Sequence, residues 1–135
     1  MPAAAQGTDA AAAKAFATYW VQTLDYAAPR GDTSALSRAS DQGCVQCQAI
    51  IELIDTVYAA DGAIVGRGWT PTSSSVIHNP DGTVVVNMVV NVHRQTIIKK
   101  AGAHPRQFPG GRRVKSFWLS HSESSWRVTK LEQPE

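Results

Sequence analysis

An α+β fold, helices first and a curved antiparallel sheet second, is what the sequence predicts. Three observations carry it. Apolar residues recur at helical spacing up to Tyr58, the spacing changes to two beyond Gly62, and Asn79-Pro80-Asp81-Gly82 marks a hairpin between two strands. A long sheet after three helices wraps the longer ones and leaves a cone closed on one side. At 135 residues, 43% apolar and 18% charged, the chain suits one domain with a continuous core. Residues 9–132 are expected to form it, after a disordered Ala-rich linker at 1–8 and before a free tail at 133–135.

Asp9 or Thr8 can cap a first helix running to about Ala27, in which Phe16, Trp20 and Leu24 recur at four-residue spacing and make one face aromatic and buried. Pro29, Arg30 and Gly31 stop it. A shorter helix over residues 33 to about 39 turns Leu36 inward, and a turn at 40–43 follows. From Cys44 onward Cys47, Ile50, Ile51, Ile54, Val57 and Tyr58 form the clearest helical stripe, ended where Gly62 can take the left-handed capping conformation.

Strands are expected at 63–69 and 74–78, and then as one run from 83 to about 98. That run puts Val84, Val86, Met88, Val90 and Val92 on the core face and Val85, Asn87, Val89, Asn91 and His93 on the other. Residues 99–113, with Pro105, Pro109 and their glycines, read as a long loop and a binding element. Residues 113–121 and 125–132 read as a closing hairpin whose large apolar residues are Trp118 and Trp126.

The net charge of +2 conceals an asymmetry. Between Gly82 and Ser122 there is no acid, yet Arg94, Lys99, Lys100, Arg106, Arg112, Arg113 and Lys115 all fall there. A positive patch of this kind attracts anionic lipid headgroups, wall polymers or an acidic protein partner, against the competing reading of a solvated sheet edge. Nucleic acid is disfavoured, because the aromatic interleaving of single-strand binders is missing. No apolar run is long enough to span a membrane, and the first residues lack the pattern of a signal peptide, so the chain reads as soluble as it stands.

Cys44-x-x-Cys47 at a helix start reads as a structural disulfide, worth about 2 kcal/mol for so short a loop, with thiol redox chemistry and metal binding as competing readings. No further ligands stand at paired spacing among His78, His93, His104 and His121, so no metal and no cofactor are expected. No catalytic residue is assigned. If the cone did carry proton transfer, Asp25, Glu52, Asp55 or His93 would have to serve, and Asp25 and Asp55 read as solvated helix flanks. Tyr19, Tyr26, Tyr58, Trp69, Asn87, Asn91 and Trp118 are the candidate lining of a pocket for a small ligand, most of the aromatics serving equally well as core.

Phe16, Tyr19, Trp20 and Tyr26 within the run 15–27, then Gly31-Asp32-Thr33-Ser34-Ala35-Leu36, Ser40-Asp41 and Cys44-x-x-Cys47, resemble an actinobacterial lipoprotein domain family of unknown function. Phe117-x-Leu119 and Trp126-x-Val128 look like the closing hairpin of the same cone. That family is similar to the nuclear transport factor 2-like (cystatin-like) fold. The resemblance implies a domain outside the cytoplasmic membrane, tethered by a lipid anchor on a cysteine ahead of Met1, through which alone it would meet the membrane. It implies no catalytic residue. The function expected is a binding or scaffold module at the cell envelope, with a ligand carrier or an isomerase- or dehydratase-like enzyme as the alternative. Cone domains often pair through the exposed sheet face, which leaves a homodimer open.

Overall fold

A computed structural model describes residues 1–122 and 125–134. Helices α1 (Ala10–Arg30), α2 (Ser34–Arg38) and α3 (Val45–Ala59) precede seven strands: β1 (Ala63–Gly66), β2 (Trp69–His78), β3 (Val84–Val92), β4 (Gln95–Ile98), β5 (Arg106–Phe108), β6 (Gly111–Ser122) and β7 (Ser125–Glu132). Strands β2-β3-β6-β7 pair in that order into one antiparallel sheet, and β1-β4-β5 into a second. This is the α+β cone, with α1 and α3 packed into the concave side.

The periodicities place the core. Phe16, Trp20 and Val21 of α1 and Ile54 and Val57 of α3 meet Val86, Met88 and Val90 of β3 and Phe117 and Leu119 of β6, all buried. Trp20 stands edge-on to Phe117, with ring centroids 5.5 Å apart, and donates from Nε1 to Ser40 Oγ at 2.9 Å. Ser40 in turn donates to the Leu36 carbonyl, and its chain neighbours bond β7 through Val128 to Ala39 and Asp41 to Val128. One buried indole thus ties α1 to α2 and to the edge of the main sheet.

Several expectations are corrected. α1 runs one turn further, to Arg30, because Pro29 falls in the last turn, where its missing N–H costs a single bond, and Gly31 caps the end at φ +75°. α3 closes with Asp61, not Gly62, in the left-handed conformation at φ +58°, while the Gly62 amide bonds the Val57 carbonyl. Gly62 is needed for a different reason: a Cβ there would lie 2.1 Å from the Ile98 carbonyl oxygen. β2 begins at Trp69 rather than 74, with a register shift between Pro71 and Ser73 that accommodates the proline on an edge strand.

The run 83–98 is two strands. The His93 amide bonds the Gly68 carbonyl, the chain leaves the main sheet, and β4 pairs with β1 instead. The expected loop at 99–113 contains β5 and the start of β6, leaving irregular chain mainly at 99–105. Residues 1–8 are not an unattached linker: Ala3–Ala5 form a 3-10 turn, Ala5 is fully buried, and the Gly7 carbonyl accepts from Trp126 Nε1 at 2.9 Å. In the expected tail, Gln133 accepts from Lys115 Nζ. The end of that tail, Glu135, lies outside the described residues, as do 123 and 124 between β6 and β7.

Candidate functional site

An apolar groove runs along α3 where the cone opens. Register explains its floor. β3 buries Met88 and Val90, so their partners on β6, Lys115 and Arg113, belong to the concave face, while Arg112 opposite Asn91 belongs to the outer one. Lys115 therefore enters the mouth of the cone with its ammonium 4.6 Å from the centroid of the Trp69 ring. Between this pair and α3 lies a groove of about 320 Å³, bordered by Ala49, Ile50, Trp69, Lys115, Leu131 and Gln133. Ile50 and Trp69 also border a smaller hollow of about 120 Å³ that continues along α3 past Leu53 to Ile64 and Gln95.

The electrostatics of the mouth are one-sided. Burial and then the neighbouring Arg113 hold the Lys115 ammonium below the usual lysine range. Among the described residues no carboxylate lies within ion-pair distance of it; Glu132, which also borders the groove, pairs with Lys130 at 2.8 Å. The result is a half-buried cation over an aromatic wall with a neutral amide as its hydrogen-bond partner.

Behind Trp69 sits Asp25, which is expected to be a solvated helix flank. Asp25 is half-buried, and its Oδ1 accepts from the Trp69 amide at 3.0 Å. Burial pushes its carboxyl up from 3.8 to about 6, against the opposing pull of that amide bond. The sign follows. The folded state holds this proton more tightly than the unfolded chain, so the stabilising contribution is complete below about pH 4 and is lost as pH rises through about 6. A shift of that size corresponds to about 3 kcal/mol at full weight, which partial exposure reduces to about 1 kcal/mol. Asp25→Asn keeps an acceptor for Trp69 and is expected to flatten stability between about pH 4 and pH 6, as read by urea unfolding across that range.

The other predicted site residues disperse. Cys44 and Cys47 form the disulfide, fully buried, at the start of α3, where Cys44 Sγ also accepts from the Cys47 amide. Of the candidate pocket residues only Trp69 reaches the mouth groove. Tyr58 is structural, donating to the Ala28 carbonyl at 2.6 Å. Tyr26 lies exposed under Arg30, and Tyr19 borders a separate depression near Trp126. Asn87, bonded by Ser116, and Asn91 and Trp118, the latter under Lys130, belong to the outer face of the sheet. The basic residues also separate: Lys115 and Arg113 on the concave face, Arg112 outside, Arg94 and Lys99 flanking β4, Lys100 in the following turn, and Arg106 over Phe108 on β5. Among the described residues no three His, Cys, Asp or Glu side chains gather as a metal site would require, and no helix is long and apolar enough to cross a membrane.

The fold is shared with solved structures of low identity. The intermembrane space region of the chloroplast protein ARC6 superposes with a TM-score of 0.68 at 14% identity, over 93% of this chain and 95% of that one. A Caulobacter vibrioides protein with a cystatin-like fold gives 0.54 at 9% identity, covering 90% and 89%. An NTF2-like protein from Novosphingobium aromaticivorans, also of cystatin-like fold, gives 0.51 at 14%, covering 89% and 79%. These likenesses establish the nuclear transport factor 2-like cone. No curated protein matches the sequence. The family model that does match spans residues 1–132, and the chain accordingly belongs to DUF6318, a family of unknown function.

Proposed function

We propose that this domain is a non-catalytic binding module working outside the cytoplasmic membrane, and that it holds a small amphipathic anion in the groove beside α3. The observation that carries the reading is the half-buried Lys115 ammonium against Trp69, lacking a carboxylate partner among the described residues and opening onto apolar surface from Ile50 and Leu131. An apolar body covers that surface and an anionic group replaces the neutral amide of Gln133 as partner of the cation. The ligand preference is thus the anionic one expected of the basic half of the chain, concentrated at one lysine. What favours binding over catalysis is that the groove's acid, Glu132, is already ion-paired and Asp25 is turned to the Trp69 amide. The Cys44–Cys47 disulfide suits an oxidising compartment.

Naphthoate and its neutral amide are the probes. Wild-type protein is expected to bind naphthoate, followed by tryptophan fluorescence, and Lys115→Gln to weaken it about tenfold, or about 1.4 kcal/mol. Naphthamide is expected to bind both proteins alike. Equal naphthoate affinity in the two proteins would refute the reading.

A further inference from the structure

We propose that a second groove, between α2, the chain that follows it and Arg127 of β7, binds the phosphate group of a sugar or polyol phosphate. This groove measures about 340 Å³, and the described residues that line it are all of polar type, two arginines with no acid among them: Arg38, Arg127, Ser34, Ser37, Ser40, Gln42 and Gln48. Three of these side chains are committed and build the walls. Ser40 Oγ is held between Trp20 and the Leu36 carbonyl, Ser34 Oγ donates to Asp32, and Gln48 Nε2 donates to the Asp41 carbonyl. The remaining four, the guanidiniums of Arg38 and Arg127, the Ser37 hydroxyl and the Gln42 amide, make no side-chain hydrogen bond or ion pair among the described residues.

Among the described residues, the acids beside this groove are engaged elsewhere. Asp32, close enough to feel the charge of Arg38, accepts from the amide and hydroxyl of Ser34, and Asp41 Oδ2 accepts from the Gly43 amide at 2.8 Å. Two guanidinium forks with a hydroxyl and an amide offer more donors than a carboxylate can accept, and they suit the several oxygens of a phosphate. The ligand's body is indicated by the adjoining depression. Arg38 and Arg127 also border a hollow of about 200 Å³ beside the partly exposed Tyr19, with the buried Phe16 and Trp126 beneath it, so a ring bound through its phosphate between the arginines lies against Tyr19. Neither hollow shares a lining residue with the groove at Lys115.

The test is titration of the protein with glucose phosphate, inorganic phosphate and glucose, followed by amide chemical shifts. Glucose phosphate is expected to bind in the millimolar range or tighter, inorganic phosphate more weakly and glucose not at all, with shifts at residues 34–42 and 127. The double variant Arg38→Gln/Arg127→Gln is expected to lose at least about tenfold in affinity at an unchanged melting temperature. Should that variant be unstable, Arg38→Lys/Arg127→Lys keeps both charges without the forks and is expected to bind more weakly than wild type. Lys115→Gln is expected to bind glucose phosphate as the wild type does, which separates this site from the one at the mouth. Absent binding, or undiminished binding by the double glutamine variant, would overturn the proposal. Equal affinity for phosphate and glucose phosphate would overturn its assignment of a sugar body.

Discussion

Trp20→Ala should lower the melting temperature by about 10–20 °C, the largest effect expected of any single substitution in this protein. The indole is fully buried between Phe117 and Trp69, and truncation leaves a cavity on top of the lost transfer free energy, together about 3–5 kcal/mol. A domain of this size has only about 5–15 kcal/mol in total. Packing is not the whole effect, because Nε1 donates to Ser40, which anchors the segment alongside β7. Trp20→Phe isolates that part: it keeps most of the volume, removes the donor and should cost about 1–2 kcal/mol by chemical denaturation. If Trp20→Phe proved as damaging as Trp20→Ala, the lost hydrogen bond rather than the lost volume would dominate; if Trp20→Phe cost nothing, the tie to Ser40 would be incidental.

Gly68→Ala should be nearly as destabilising and should also weaken naphthoate binding. Gly68 has φ +76°, where a Cβ costs about 1–2 kcal/mol, and that Cβ would lie 2.0 Å from Asp25 Oδ1. The carboxylate would have to leave the Trp69 amide, a further loss of about 1–3 kcal/mol, and Trp69 is the wall shared by both hollows along α3. The two contributions separate in a double variant. Gly68→Ala/Asp25→Ala removes the clash but not the backbone strain, so its cost should be smaller than the sum of the single costs. Strict additivity would show that Asp25 and Gly68 are not coupled through the space between them.

The legibility of this chain follows the range of the forces involved. α1 and α3 were readable because Phe16, Trp20 and Leu24, and Ile50 to Tyr58, carry their periodicity within a few turns. The faces of β3 were readable for the same reason, since alternation places Val84, Val86, Met88 and Val90 inward whatever they touch. The break after Val92 was not readable. Gln95, Thr96, Ile97 and Ile98 continue the same strand propensity, and only the partners, Gly68 for the His93 amide and β1 for β4, divide the run. β5 was hidden by its flanking prolines and glycines, whose turn signals outweigh three paired residues.

The site was legible only in part, for a similar reason. The basic character of the second half pointed toward an anionic ligand, but assigning Lys115 and Arg113 to one face and Arg112 to the other requires the register with β3. Asp25 sits at a position that reads as a helix flank, and what gives it a partner is the start of β2, 44 residues away. Trp69 reads from the sequence as a candidate lining residue, whereas Ile50 reads only as part of a helical stripe. The groove arises because α3 leaves that side of its stripe uncovered at the mouth of the cone.

Occupation of the groove beside Lys115 and Trp69 by an amphipathic anion is open to direct observation. Mapping amide chemical shifts during a naphthoate titration tests it most directly. Perturbations are expected to centre on residues 49–53, Trp69, Lys115 and Leu131, saturating together and leaving residues 34–40 unmoved. Perturbations centred on the outer face of the sheet, or none in the millimolar range, would contradict it.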